Sequence, residues 1–296
     1  TLRNCAGGPT PWGSWITCEE IVVIGHDKLQ KDHGYNFEVP ANHRGLVDPV
    51  PLRAMGRFNH EAVAVDPNTY IIYQTEDRPD SLIYRFLPNE NEDPSKGGRL
   101  QALAMVNGMK STRNWEGEDT FPTGKPLPAT WIDVDDIDGE ADDLRIRGAE
   151  AGAAIFARGE GMAFGNDGVY FVCTSGGREQ IGQVFKYTPS PHEGTAREID
   201  APGTLTLELE PNDSNLVDGI DNIVVAPSGD LILCEDGGGT QFIRGVTPEG
   251  TIYNIAKNAE NESEFAGACF SADGSTMFVN VQGLGRTVAI TGPWRG

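Results

Sequence analysis

Short runs of alternating apolar and polar residues, broken by Gly and Pro, set the rhythm of the chain. In Asn4-Cys-Ala-Gly-Gly-Pro-Thr-Pro-Trp-Gly-Ser-Trp-Ile-Thr-Cys-Glu-Glu20, Trp15, Thr17 and Glu19 alternate with Ser14, Ile16 and Cys18, as on a pleated ribbon. The stretch predicts one short strand, a turn over 9–13 and a second strand ending in acid. The unit returns as Glu61-Ala-Val-Ala-Val-Asp-Pro-Asn, Glu160-Gly-Met-Ala-Phe-Gly-Asn-Asp-Gly and Asp221-Asn-Ile-Val-Val-Ala-Pro-Ser-Gly. Glu20, Glu76, Ser175 and Asp236 each lie fifteen positions after the opener, Cys5 heading the first unit. A fifth copy over 267–280 puts Ala266 in the opener's place.

Each pair is followed by further strand-like runs, clearest over 82–88, 183–189 and 242–248, whereas helical periodicity is scarce. Strand pairs around a Gly/Asp/Pro turn, returning every few tens of residues, predict an all-β fold of the β-propeller type, six-bladed or one blade short. An ordinary β-sandwich explains the shared turn, Cys and acid positions less well. Residues 1–296 read as a single propeller domain, with 88–150 an insertion or irregular region that shapes access to the channel. A strand at 100–106 and a short helical turn at 150–157 are expected around it. The chain begins four residues before Cys5 without a signal peptide, which reads as a removed leader or a fragment lacking a blade.

In a propeller the first strand of each blade lines the central channel, so the openers form a ring. Here the ring holds Cys5, Glu61, Glu160 and Asp221, and the second-strand ends Glu19 or Glu20, Glu76, and Glu235 or Asp236 lie near it. So many converging carboxylates repel one another and bind protons unless multivalent cations neutralise them. Oxygen donors suit Ca²⁺; a thiolate in the same ring suits a softer transition metal such as iron. Arg158 lies two residues before Glu160, hence on the same face, as a salt-bridge partner or as a clamp for an anionic substrate. His60 points to the opposite face from Glu61 and reads as an inter-blade hydrogen-bonding residue.

Composition adjusts this picture. A formal net charge of −21 argues against nucleic acid or an anionic membrane as partner, and no apolar run approaches spanning length. The acids over 133–143 read as a solvated surface; they lack the closing Glu of a calcium loop. Five cysteines leave at least one unpaired. Cys18, Cys173, Cys234 and Cys269 read as buried small hydrophobes, and only Cys5 stands in an acid's place.

At these residues the sequence resembles the PhoX family of alkaline phosphatases. The resembling segments are Asn4-Cys-Ala-Gly-Gly-Pro-Thr-Pro-Trp-Gly with Thr17-Cys-Glu-Glu20, Gly56-Arg-Phe-Asn-His-Glu-Ala-Val, Ala157-Arg-Gly-Glu-Gly161 with Thr174-Ser-Gly-Gly177, Asp221-Asn-Ile with Leu233-Cys-Glu-Asp-Gly237, and 270–274 with Ala289-Ile-Thr-Gly-Pro-Trp294. The resemblance implies hydrolysis of small-molecule phosphate monoesters at a cluster of Fe³⁺ and Ca²⁺, with Cys5 an iron ligand and Glu61, Glu160 and an acid of the Cys-Glu-Glu turn holding iron or calcium. Arg158 would bind the phosphate. It also implies export in the folded state, hence a periplasmic or secreted protein; a monomer is expected. Members carry a substantial segment before the Asn-Cys-Ala-Gly-Gly element, a departure that bears on blade closure. A calcium-dependent lactonase or phosphotriesterase propeller, which has no use for a thiolate, and a non-catalytic binding propeller are the alternatives.

Overall fold

The structure is a computed structural model that describes residues 1–292 and 294; Pro293 of the closing Gly-Pro-Trp element lies outside the described residues. Five antiparallel meanders follow one another along the chain. The first is β1 (Asn4–Pro9), β2 (Ser14–Glu19) and β3 (Asn36–Pro40). The second is β4 (His60–Val65), β5 (Ile72–Glu76), β6 (Ile83–Pro88), β7 (Gly98–Met105) and β8 (Leu127–Asp133). The third is β9 (Gly159–Phe164), β10 (Val169–Cys173), β11 (Gln183–Thr188) and β12 (Thr204–Leu209). The fourth is β13 (Ile220–Val225), β14 (Leu231–Glu235), β15 (Phe242–Val246) and β16 (Ile252–Lys257), and the fifth is β17 (Phe265–Phe270), β18 (Thr276–Val281) and β19 (Arg286–Thr291).

Successive first strands pack side by side, β1 on β4, β4 on β9, β9 on β13 and β13 on β17. They enclose a cavity of about 460 Å³ lined by residues of all five, Ala6, Ala62, Met162, Ile223 and Ala268 among them. This is propeller architecture, as the repeat predicts, here as five blades among the described residues. The first three join into one curled 12-stranded sheet, because β1 meets β4 in parallel at Gly7 and Ala62 and β8 pairs with β12.

Close approach at the axis explains two of the glycines. A Cβ on Gly8 would lie 2.0 Å from the Val63 carbonyl oxygen, and one on Gly161 would lie 2.8 Å from the Asn222 Cα. Further out, aromatic side chains wedge the blades together. Phe156, Phe171 and Phe185 are fully buried with ring centroids 5.4–5.5 Å apart, each contributing about 1.5–3 kcal/mol by burial.

The runs expected over 82–88, 183–189 and 242–248 are the third strands β6, β11 and β15. The interval 88–150 is more regular than its composition suggests, since it supplies β7 and β8. The helical turn sits earlier than expected, as α1 (Leu144–Ala151) ending at a left-handed Gly152. The acids over 133–143 are also not a bare solvated face. Arg53 pairs with Asp138, Arg78 and Arg145 with Asp142, and Arg147 with Asp143. Arg57 donates to the carbonyls of Gly139 and Glu140, so the segment is a strap tied to the first two blades.

Candidate metal and phosphate site

Each first strand carries a β-bulge at or just after its opener. The register shifts between Cys5 and Gly8 in β1, between His60 and Val63 in β4, between Ile220 and Asn222 in β13, and between Ala266 and Cys269 in β17; the β9–β10 pair shifts likewise. A bulge puts two residues opposite one and re-aims the side chain. Here it turns each opener toward its neighbours around the axis. The Cys5 thiol hydrogen-bonds the Glu61 carboxylate across the first and second blades, and Glu160 is hydrogen-bonded to Asp221 across the third and fourth. The four chemistry-bearing openers read from the sequence therefore meet.

The second-strand ends need a correction. Glu19, Glu76 and Glu235 pair in register with Asn4, His60 and Ile220, and their carboxylates turn away from the axis. Glu19 is wholly buried and accepts hydrogen bonds from the backbone N–H groups of Leu2, Gly34 and Tyr35 and from His33 Nδ1. Glu235 accepts from the Asp218 and Phe242 amides and from Arg244 at 2.7 Å. Glu76 accepts from the Leu82 amide and the Tyr84 hydroxyl. Fully engaged inside their own blades, Glu19 and Glu235 are fold residues and not candidate ligands.

The next residue along is the one that faces the channel. The amides of Glu20, Asp77, Thr174, Asp236 and Gln282 donate to the carbonyls of Arg3, Asn59, Arg158, Gly219 and Glu264. These carbonyls belong to the residues two before each opener, so the five blades share one hydrogen-bonded corner. Glu20 is hydrogen-bonded to Asp77 between the first two blades, and Asp236 to Glu264 between the last two. The fixed spacing of fifteen slips by one in the second blade and selects Glu76 in place of Asp77. Glu264 lies in no acid position of the repeat, which is why pattern alone misses both. For Asp77 the one sequence signal is adjacency: it follows Glu76 as Glu20 follows Glu19 and Asp236 follows Glu235, whereas Glu264 carries none.

The site is thus a ring of Glu20, Glu61, Asp77, Glu160, Asp221, Asp236 and Glu264 with one thiol. Burial and like charge act together on it. Burial, then the Asp221, Glu20 and Asp77 charges, push Glu61 up to about 8, although the Cys5 thiol donates to it. The same causes hold Glu160 well above the carboxylate range against the nearby Arg158. Asp221 is raised to about 6 and Glu264 to about 7, burial leading in both. Cys5 is pushed far up by burial and by Glu61, so without a cation it stays a thiol.

Cys5, Glu20 and Glu61 present donor atoms that all lie within 4.8 Å of one another. One sulfur with two carboxylates fits a transition metal, and the all-oxygen remainder around Asp221, Asp236 and Glu264 fits calcium. The donor set therefore suits both kinds of ion. Cys18, Cys173 and Cys234 are buried as expected, but Cys269 is exposed and borders the axial cavity, because it follows the bulge of β17 on the fifth blade. His60 is buried off the ring, its Nε2 on the Gly56 carbonyl at 3.1 Å.

Arg158 rises from this ring in a left-handed backbone conformation, φ 56°. Its guanidinium grips Asp77 with two bonds of 2.7 and 2.9 Å and Glu160 with one of 2.7 Å, and its side chain is 42% exposed. With Nε and Nη2 engaged in this way, Nη1 is the donor left over, and a guanidinium fixed so firmly on a partly exposed side chain is a ready anion site.

A family model described as alkaline phosphatase PhoX matches residues 1–285. The chain belongs to the PhoX family. The solved structure of Pseudomonas fluorescens PhoX, in complex with vanadate as a transition state analogue, is similar over 94% of this chain at 19% identity and a TM-score of 0.68. This chain spans 64% of that protein's length. A streptogramin B lyase structure is similar over 98% of this chain and 69% of its own, at 12% identity and a TM-score of 0.45. Among curated proteins none matches the chain.

Proposed function

We propose that this chain carries the catalytic site of a metal-dependent phosphatase acting on small-molecule phosphate monoesters, with Fe³⁺ and Ca²⁺ as its ions. The observation that carries the reading is the partly exposed Arg158 guanidinium, held by Asp77 and Glu160 at a ring of seven carboxylates and one thiol in which Glu61 and Glu160 are buried. Membership of the alkaline phosphatase PhoX family supports it, as does the vanadate bound by the similar P. fluorescens protein.

Cys5, Glu20 and Glu61 would hold iron, and Glu160, Asp221, Asp236 and Glu264 calcium. Bound there, such ions neutralise phosphate oxygens and lower the pKa of coordinated water. Arg158 binds the phosphate through Nη1, the donor that Asp77 and Glu160 leave over. Its grip on Asp77 and Glu160 fixes the fork before substrate arrives, so little reorganisation is needed as charge builds on the phosphoryl oxygens. The two Gly flanking Glu160 leave no side chain between the clamp and the ring. A periplasmic or secreted location and action as a monomer go with this reading, as does the absence of nucleic-acid and membrane partners.

The test is hydrolysis of p-nitrophenyl phosphate by protein purified without chelator, with elemental analysis of the same sample. Turnover with iron and calcium bound is expected. Calcium without iron, with lactone or phosphotriester turnover, would instead favour the lactonase-type alternative, for which the Cys5 thiol has no use; metal-free, inert protein would leave a binding propeller.

A further inference from the structure

The 111–118 stretch, between β7 and β8, does something its composition does not announce. Arg113 reaches back to the Pro79 carbonyl at 3.1 Å, beside the Asp77 corner of the second blade. Its own carbonyl accepts from the Gly177 amide at 2.9 Å, on the third blade. Glu118 pairs with Arg113 and accepts from Ser111, so the loop is braced internally. It therefore bridges the two corners between which Arg158 emerges, for the Arg158 amide donates to the Arg78 carbonyl and the Thr174 amide to the Arg158 carbonyl.

Trp115 stands in the middle of that bridge. Its Nε1 donates to the Ser175 carbonyl at 2.8 Å, one residue past the partner of Arg158. The Arg113 guanidinium lies over its ring, 4.2 Å from the centroid. The indole is thus fixed at its edge and along one face, yet it stays partly exposed. A large aromatic surface is thus held rigid on the corner whose backbone carries Arg158, on a loop that is otherwise polar.

Resting on the phosphatase reading, we propose that Trp115 is a specificity-determining residue: it forms the wall against which the alcohol portion of the phosphoester lies, and it selects esters with planar aromatic leaving groups. An aromatic group stacked on a preformed indole gains about threefold to tenfold in affinity over a small alkyl group.

Binding of phenylphosphonate and of methylphosphonate to the calcium- and iron-loaded protein, by calorimetry, tests this without turnover. The wild-type protein is expected to prefer phenylphosphonate. Trp115→Ala should weaken phenylphosphonate by about threefold to tenfold and methylphosphonate by less than about twofold, and Trp115→Phe, which keeps a ring and loses only the Ser175 bond, should retain most of the preference. Equal weakening of both ligands by either variant overturns the proposal, since Trp115 would then only brace the Arg158 corner. A wild-type protein that binds both equally also overturns it, while its hydrolysis of a simple alkyl phosphate leaves the phosphatase reading standing. Binding of neither, with no hydrolysis, sinks both.

Discussion

Stripping the ions from this protein should invert the usual effect of pH on a folded domain. Glu61 and Glu76 titrate near 8 because both are buried, and burial with the Glu61, Asp221 and Asp77 charges holds Glu160 well above the carboxylate range too. In the unfolded chain the same groups titrate near 4.5. Around neutral pH the chelated native state therefore binds more protons than the unfolded state, and stability falls as pH rises. One retained proton gives a slope of about 1.4 kcal/mol per pH unit, and three give about 4. His60 acts in the opposite sense. Burial pushes it down to about 3, so the unfolded chain gains a proton there as pH drops below about 6.5. The cleaner window is thus about pH 7 to 8, where His60 keeps only a small opposing share and the depressed carboxylates Asp167 and Glu198 have finished titrating. Denaturant unfolding of chelator-treated protein across that window is the assay, repeated with calcium. Ions take the place of the ring's protons, so calcium should shrink the slope to what the raised carboxyls outside the ring, Glu76 foremost, contribute. A flat or rising profile without metal, or a slope that calcium leaves unchanged, would refute the reasoning.

Other substitutions separate the ring from its neighbours. Asp236→Asn should weaken calcium binding, read by calorimetry, with little effect on the apo melting temperature. Glu235→Gln should cost about 3–5 kcal/mol of stability by stranding buried Arg244, and thermal melting should find calcium affinity unaltered. Cys5→Ala should lose tightly held iron and activity together; full activity with unchanged iron by elemental analysis would remove Cys5 from the site. Arg158→Ala should lower kcat/KM for p-nitrophenyl phosphate on the order of a hundredfold.

Much of the site is legible in the sequence. Local chemistry writes the turns and alternating strands directly, and a repeat maps equivalent positions onto one ring by symmetry, which is how Cys5, Glu61, Glu160 and Asp221 could be named together. Glu20 and Asp236 were visible only as one of two adjacent acids, because neighbours on a strand end point opposite ways and the last hydrogen bond decides which faces the axis. There Glu19 and Glu235 are captured by backbone amides and cations of their own blades. Asp77 and Glu264 escaped because a one-residue change in a hairpin shifts the spacing, and because a first strand can lend an acid from two positions before its opener. Trp115 and Arg113 join the site through bonds to the distant Ser175 and Pro79, and no local pattern encodes contacts between segments so far apart in the chain. The sequence by itself settled which residue types recur and at what period. Only the packing of five blades around an axis decided which carboxylates lose water and face one another.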